Sequence, residues 1–258
     1  MIVLAAGQGT RLRPLTDIRP KCLVELCGQT LLDRLLHAAR SVGIDDVVVV
    51  GGYLADQLRR SDLRVVVNPD YETTNMVSTL FCAEDLFCEG FILSYGDIAY
   101  SPAVLQTLLA DPSPVGVVVD RDWRRYWELR FSDPLSDAES LRLGPGGHIQ
   151  SIGQRETDID RIEAQYIGLM AFRGPGVEAL RQTYAAARAA ERDGRLPSNV
   201  SRPLSKFFMT DLLQRMIDLG YPVTAVPIEG GWVEIDSIRD LEVAERLLAE
   251  GRLELVRR

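Results

Sequence analysis

Along the first half of the chain, short apolar runs alternate with stretches whose apolar residues recur at helical spacing. Residues 2–5 read as a buried strand, and similar runs rich in β-branched and apolar residues return at 45–50, 63–67, 91–95 and 115–119. Runs that are apolar on both faces predict strands covered on both sides, as in a parallel sheet. Between them lie helical segments at 31–42, with Thr30 as its cap, and at 53–60, 76–87 and 102–110. This alternation predicts an α/β fold, a mixed, mainly parallel sheet with helices on both faces. Ligands of such sheets sit at the carboxyl ends of the strands, so the loops after Ala5, Val67, Tyr95 and Val119 should surround one cleft.

The second half is less regular. Residues 120–131 are charged and aromatic, 144–147 form a glycine-rich turn, and 165–172 read as a strand. An alanine-rich helix at 177–192, a polar loop at 196–203, a helix at 205–219, a strand at 223–228 and a tail helix at 241–248 follow. There is no internal repeat. With 258 residues and 46% hydrophobic content the chain can bury a full core, and residues 1–258 are expected to form a single domain.

A formal charge of −8 argues against nucleic acid or an anionic membrane as the main partner. Cys22, Cys27, Cys82 and Cys88 form no Cys-x-x-Cys pair, and only His37 and His148 accompany them, so a structural zinc site is not expected. These cysteines are read as reduced core thiols. No apolar stretch approaches the ~18 residues that span a bilayer, and the glycine loop begins too near Met1 for a signal peptide. The expectation is a cytoplasmic, soluble protein.

The first strand ends in Leu4-Ala5-Ala6-Gly7-Gln8-Gly9-Thr10-Arg11, and Pro20-Lys21 follows nine positions on. Glycines here remove Cβ atoms where the backbone turns and lets its N–H groups approach an anion. Arg11 offers a planar fork for phosphate oxygens and Lys21 a compact ammonium. No Lys-Ser/Thr follows the glycines, so this is not a Walker A loop. Position 12 is leucine, so the dinucleotide fingerprint is not met either.

Carboxylates gather at two other places. Asp97 follows the run 91–95 directly behind Gly96, although a cap for the helix at 102 is also open to it, with Ser101 better placed for that. In Trp232-Val-Glu-Ile-Asp236, strand periodicity puts Trp232, Glu234 and Asp236 on one face. Two carboxylates about 7 Å apart on one strand face repel unless a cation lies between them. A divalent metal resolves that repulsion, and Mg²⁺ favours a few carboxylates plus phosphate oxygens, so Asp97, Glu234 and Asp236 make a candidate set. Asp236 or Ser237 could instead cap the following helix.

The string Leu4 to Thr16, with Pro20-Lys-Cys-Leu-Val-Glu25, closely resembles the signature of the nucleotidyltransferases that make sugar nucleotides and CDP-alcohols from an NTP and a phosphorylated acceptor. The resemblance implies a Rossmann-like, nucleotide-diphospho-sugar transferase-like fold. It implies that the glycine loop wraps the triphosphate, that Arg11 contacts its distal phosphates, with Arg13 a weaker candidate, and that Lys21 sits near the α-phosphate. Asp97 matches the first magnesium ligand of the family. Asn75 and Ser78, in the segment after residue 67, resemble the CTP-using branch that includes phosphocholine and phosphonate cytidylyltransferases, and the Trp-x-Glu-Ile-Asp string points the same way. An amide and a hydroxyl can match the cytosine edge, while Asn75 could equally cap a helix.

Residues 120–170 are expected to form an acceptor lid. Trp123, Trp127 and Trp232 would face a cationic acceptor, and Glu163, Tyr166 and Gly168 match, more loosely, a segment lining the acceptor pocket. Arg121, Arg124, Arg125 and Arg130 would suit an anionic acceptor, and the same stretch also reads as an amphipathic helix burying its aromatics. The implied function is a Mg²⁺-dependent cytidylyltransferase that moves CMP from CTP to a phosphocholine, aminoethylphosphonate or hydroxyalkylphosphonate type of acceptor and releases pyrophosphate. The alternative is a sugar-1-phosphate or inositol-1-phosphate nucleotidyltransferase using CTP, UTP, GTP or dTTP. A homodimer is compatible with the resemblance.

Overall fold

In the computed structural model, residues 1–195 and 202–255 are described. Most of the expected polar loop at 196–203 lies outside the described residues. The chain opens with β1 (Ile2–Ala5) and a short hairpin of β2 (Glu25–Leu26) and β3 (Gln29–Thr30). It continues through α1 (Leu31–Ser41), β4 (Val48–Gly51), β5 (Arg64–Val67), α2 (Met76–Phe81), β6 (Gly90–Tyr95), β7 (Ile98–Tyr100), α3 (Pro102–Ala110) and β8 (Val115–Asp120). The second half runs through α4 (Trp123–Arg130), β9 (Glu139–Leu143), β10 (Ile149–Arg155), β11 (Gln165–Arg173) and α5 (Pro175–Arg192). The last elements are α6 (Met209–Asp218), β12 (Thr224–Ile228), β13 (Trp232–Glu234) and α7 (Ile238–Ala249).

Seven strands pair in the order β12-β8-β11-β6-β1-β4-β5. Every pairing is parallel except the two made by β11, so the sheet is mixed and mainly parallel, as its doubly apolar strands predict. Strand periodicity divides the core: Val3 and Val49 pack with α1, α3, α4 and α7, while Ile2, Leu4 and Val50 pack with α2, α5 and α6 on the other face. β1 is therefore central, and the loop leaving it is held from below by both hydrophobic layers.

Several elements differ from expectation. Residues 53–60 hold only a 3-10 turn, Ala55–Leu58, because Leu54 adopts φ 48°, a left-handed conformation that no helix continues through. The 76–87 segment splits into α2 and a 3-10 turn at Glu84–Leu86. The tail helix starts earlier than its apolar pattern, at Ile238, because the Ser237 hydroxyl accepts the Asp240 amide and caps it. The irregular stretch after residue 131 contains an unanticipated antiparallel hairpin, β9 and β10, turned by Gly144–Gly147. Of the cysteines only Cys22 is buried; Cys27, Cys82 and Cys88 are exposed, which corrects their reading as core thiols. Among the described residues no helix is long and apolar enough to cross a membrane.

Candidate active site

The loop after β1 turns at Gly9, whose φ of 61° is strained for any residue with a Cβ. A Cβ there would stand 3.0 Å from the Lys21 Cβ, so the glycine also admits the lysine stem. The Thr16 hydroxyl donates to the Gly9 carbonyl at 2.8 Å and ties the loop to the segment that follows. Arg11 and Lys21 thereby point to the same end of β1. Gly96, at the end of β6, stands where a Cβ would lie 2.9 Å from the Leu4 carbonyl, and this close approach brings Asp97 beside the loop.

The second half of the site comes from far along the chain. β7 and β13 pair antiparallel with Glu234 opposite Ile98, and the Ile235 amide donates to the Asp97 carbonyl at 2.9 Å. This three-rung ladder sets Asp97 next to Glu234 and Asp236. β13 ends at Glu234, so Asp236 lies beyond the strand rather than on it; Trp232 is buried. Carboxylate oxygens of Asp97, Glu234 and Asp236, one from each, lie within 4.8 Å of one another.

Lys21 and Arg11 meet Asp97 and Asp236. Lys21 Nζ donates to Asp97 Oδ2 at 2.6 Å and to Asp236 Oδ1, and Arg11 Nη2 donates to Asp236 Oδ2 at 2.5 Å. Burial works against the Lys21 charge, but Asp97, Asp236 and Glu234 outweigh it and raise its pKa. Burial also opposes the Asp236 charge, and Lys21 with Arg11 overcomes it to hold the carboxyl low. Glu234 has no such surplus: burial, then Asp236, push it up to about 8 despite Arg130 and Lys21.

Asp97 Oδ1 is buried with no hydrogen-bond partner. An orphaned carboxylate oxygen beside two other acids is a donor set for a hard divalent cation, and these residues fit such an ion.

These groups sit at one end of a cleft of about 350 Å³. Leu4, Ala5, Ala6, Gly7, Gly9, Thr10, Arg11, Lys21, Asn75, Asp97, Glu234 and Asp236 line it, whereas Gln8 and Ser78 do not. Asn75 precedes α2 but makes no side-chain cap; its amide donates to the Lys206 carbonyl at 2.8 Å. Tyr71 and Thr74, in the loop already expected to border the cleft, and Met76 and Thr79, on the first turn of α2, line it as well. Cys22, Tyr95, Gly96 and Phe208 complete the lining. Phe208 had no sequence signal, because it reaches the cleft from the start of α6, a helix with no chemical motif.

The expected acceptor residues lie elsewhere. Trp123, Trp127 and Trp232 are 3%, 3% and 4% exposed and meet edge-on or tilted with Tyr126 in the core. The amphipathic reading of this helix is therefore the one its packing follows. Glu163 is exposed, with Oε1 accepting the Leu143 amide, and Tyr166 packs edge-on behind Tyr95. Arg130, read with the other arginines as a contact for an anionic acceptor, is buried and paired with Glu234 and Asp240.

Residues 1–190 match the family model of the MobA-like NTP transferase domain. The chain is 40% identical to the CTP:phosphoglutamine cytidylyltransferase of Campylobacter jejuni, over 94% of this chain and 97% of that protein. It is 31% identical to the choline-phosphate cytidylyltransferase of Streptococcus pneumoniae over 58% of this chain and 66% of that protein. The solved structure of a CTP:phosphocholine cytidylyltransferase from S. pneumoniae superposes with a TM-score of 0.72 at 22% identity, covering 96% of this chain and 97% of that one. At that identity the superposition speaks for the fold.

Proposed function

The chain belongs to the MobA-like NTP transferase family, and from that premise we propose that it transfers CMP from CTP to a small phosphorylated acceptor, with Mg²⁺, releasing pyrophosphate. The observation that carries this is the meeting of Arg11 and Lys21 with three carboxylates at one end of a cleft. Phosphate-binding cations beside metal-binding acids are the two halves of a phosphoryl-transfer site.

An acceptor oxygen attacks the α-phosphorus of CTP, the bond to the bridging oxygen of the β-phosphate breaks, and pyrophosphate departs with that electron pair. A phosphate's second pKa is about 6, so the attacking oxygen is already anionic near neutral pH and needs no protein base. A Mg²⁺ held by Asp97, Glu234 and Asp236 would offset charge on the phosphates. Gly7 leaves open space where a Cβ would point, which lets the backbone approach the triphosphate. Arg11, 63% exposed along its side chain, would exchange its Asp236 contact for the outer phosphates, and Lys21 would supply charge near the α-phosphate. Asn75, Thr74 and Thr79 supply polar groups on the wall assigned to the base.

For the acceptor we favour phosphoglutamine, because the relative named for that activity matches along nearly the whole chain. The test is a pyrophosphate-release screen with CTP, UTP, GTP, ATP and dTTP against phosphoglutamine, phosphocholine, 2-aminoethylphosphonate and sugar or inositol phosphates. CTP with phosphoglutamine is expected to give the highest kcat/KM. Turnover with another NTP and none with CTP would overturn the nucleotide assignment; CTP turnover confined to other acceptors would overturn the acceptor.

A further inference from the structure

Helix α4 carries Trp123, Tyr126, Trp127 and Arg130 at i, i+3, i+4 and i+7, one continuous stripe facing inward. Two members of the stripe grip Glu234. The Tyr126 hydroxyl donates to the Glu234 carbonyl at 3.1 Å and accepts the Glu234 amide at 3.0 Å, so both backbone polar groups of this residue end on one phenol. One turn later, Arg130 Nη2 lies 2.8 Å from Glu234 Oε2.

Arg130 also donates from Nε to Asp240 Oδ1 at 2.8 Å. The other oxygen of Asp240 accepts the Asp236 amide at 3.1 Å and the Ser237 amide at 2.8 Å. One guanidinium thus links the side chain of Glu234 to the turn that carries Asp236. It is wedged between aromatic faces, 5.2 Å from the Tyr126 ring centre and 4.9 Å from that of Phe131.

Nothing in this arrangement favours stability alone. The Arg130 side chain is fully buried; its Nε is hydrogen-bonded to Asp240, while neither Nη1 nor Nη2 makes a hydrogen bond, so Nη2 meets Glu234 as an ion pair. A buried arginine pays a desolvation cost that a well-packed apolar side chain of similar volume would avoid. What the arginine does supply is a fixed direction for one carboxylate among three crowded ones.

We propose that Arg130, with Tyr126, is a positioning residue that holds Glu234 in the orientation a divalent cation requires. It rests on the assignment of Asp97, Glu234 and Asp236 as metal ligands. Mn²⁺ binding to the purified chain, followed by electron paramagnetic resonance without nucleotide or acceptor, tests it apart from turnover. Arg130→Met is expected to weaken Mn²⁺ binding about 10- to 100-fold, the usual effect of losing an outer-shell partner. Arg130→Lys should recover part of the loss, and Tyr126→Phe should weaken binding severalfold. In a Glu234→Gln background, the loss caused by Arg130→Met should shrink to the part carried through Asp240 to the Asp236 turn.

If Arg130→Met does not fold, Arg130→Lys and Tyr126→Phe carry the test. Wild-type Mn²⁺ affinity in those two variants, with native circular dichroism, would overturn the positioning role. Absence of Mn²⁺ binding by the wild type would overturn the metal assignment beneath it. The nucleotide and acceptor screen decides the transfer activity separately.

Discussion

The loop after β1 lines the cleft and the α4–β13 region supports it from the core through Glu234, and the two are built in opposite ways. The loop is continuous in sequence, and its two cations line the cleft, Arg11 63% exposed along its side chain and Lys21 14%. The α4–β13 region joins residues about a hundred positions apart, and its key cation, Arg130, is fully buried. Groups that touch a phosphate must be reachable, so they sit on turns with small residues. Groups that hold a metal ligand in place must be rigid, so they are packed among aromatic rings. Substitutions in the two regions should therefore fail differently, the first losing turnover at intact stability, the second losing the fold or the metal.

The sharpest test of the contrast is Lys21→Ala. It should cut kcat by at least 10²–10³-fold, the scale for deleting one preorganised charge, while circular dichroism stays native. Near-normal kcat in that variant would break the assignment of the loop as catalytic.

Trp127→Ala should show the reverse. Its indole donates to Asp137 and lies against Trp123, Tyr126 and Trp232, so truncation should cost about 3–5 kcal/mol in denaturant unfolding. Trp127→Phe should keep the acceptor KM within a factor of about three. A tenfold rise in acceptor KM at unchanged stability would return this helix to the role of an acceptor lid.

Within the loop region, Asn75→Ala should raise the KM for CTP about tenfold, the scale of one good hydrogen bond. Ser78→Ala, at a residue that does not line the cleft, should change it less than threefold. Equal effects at both positions would mean that the nucleobase lies farther along α2 than the cleft suggests.

The smallest expected effect is on pH dependence. Burial, with Asp211 and Asp137 nearby, pushes the Glu139 carboxyl up to about 7. The folded chain then holds a proton that the unfolded chain has released, so stability should fall as pH rises from about 4.5 to about 7. Glu139→Gln should flatten that slope in thermal unfolding; an unchanged slope would place the titration elsewhere.

The difference in construction also explains what was legible in the sequence. Glycines, a proline and two cations within a short span left a pattern of residue types, and the α3 boundaries followed from Pro102 and the apolar spacing. The 76–87 and 205–219 helices were placed correctly in type but not in extent, because caps and 3-10 turns set the ends. β7 has three residues, too few for any periodicity, yet it alone aligns Asp97 with Glu234. The aromatic stripe of α4 was ambiguous for a physical reason: the spacing i, i+3, i+4, i+7 is the same whether a helix faces a ligand or the core. Exposed cysteines beside buried apolar neighbours read like core thiols because small residues tolerate either place.

Lys21 and Asp236 touch across a separation of 215 positions. On a ribosome adding about 5–20 residues per second, the lysine emerges roughly ten to forty seconds before the aspartate that pairs with it. Asp97 follows Lys21 by only 76 positions, so one of the lysine's two carboxylate contacts can form early and the other only when nearly the whole chain has been made.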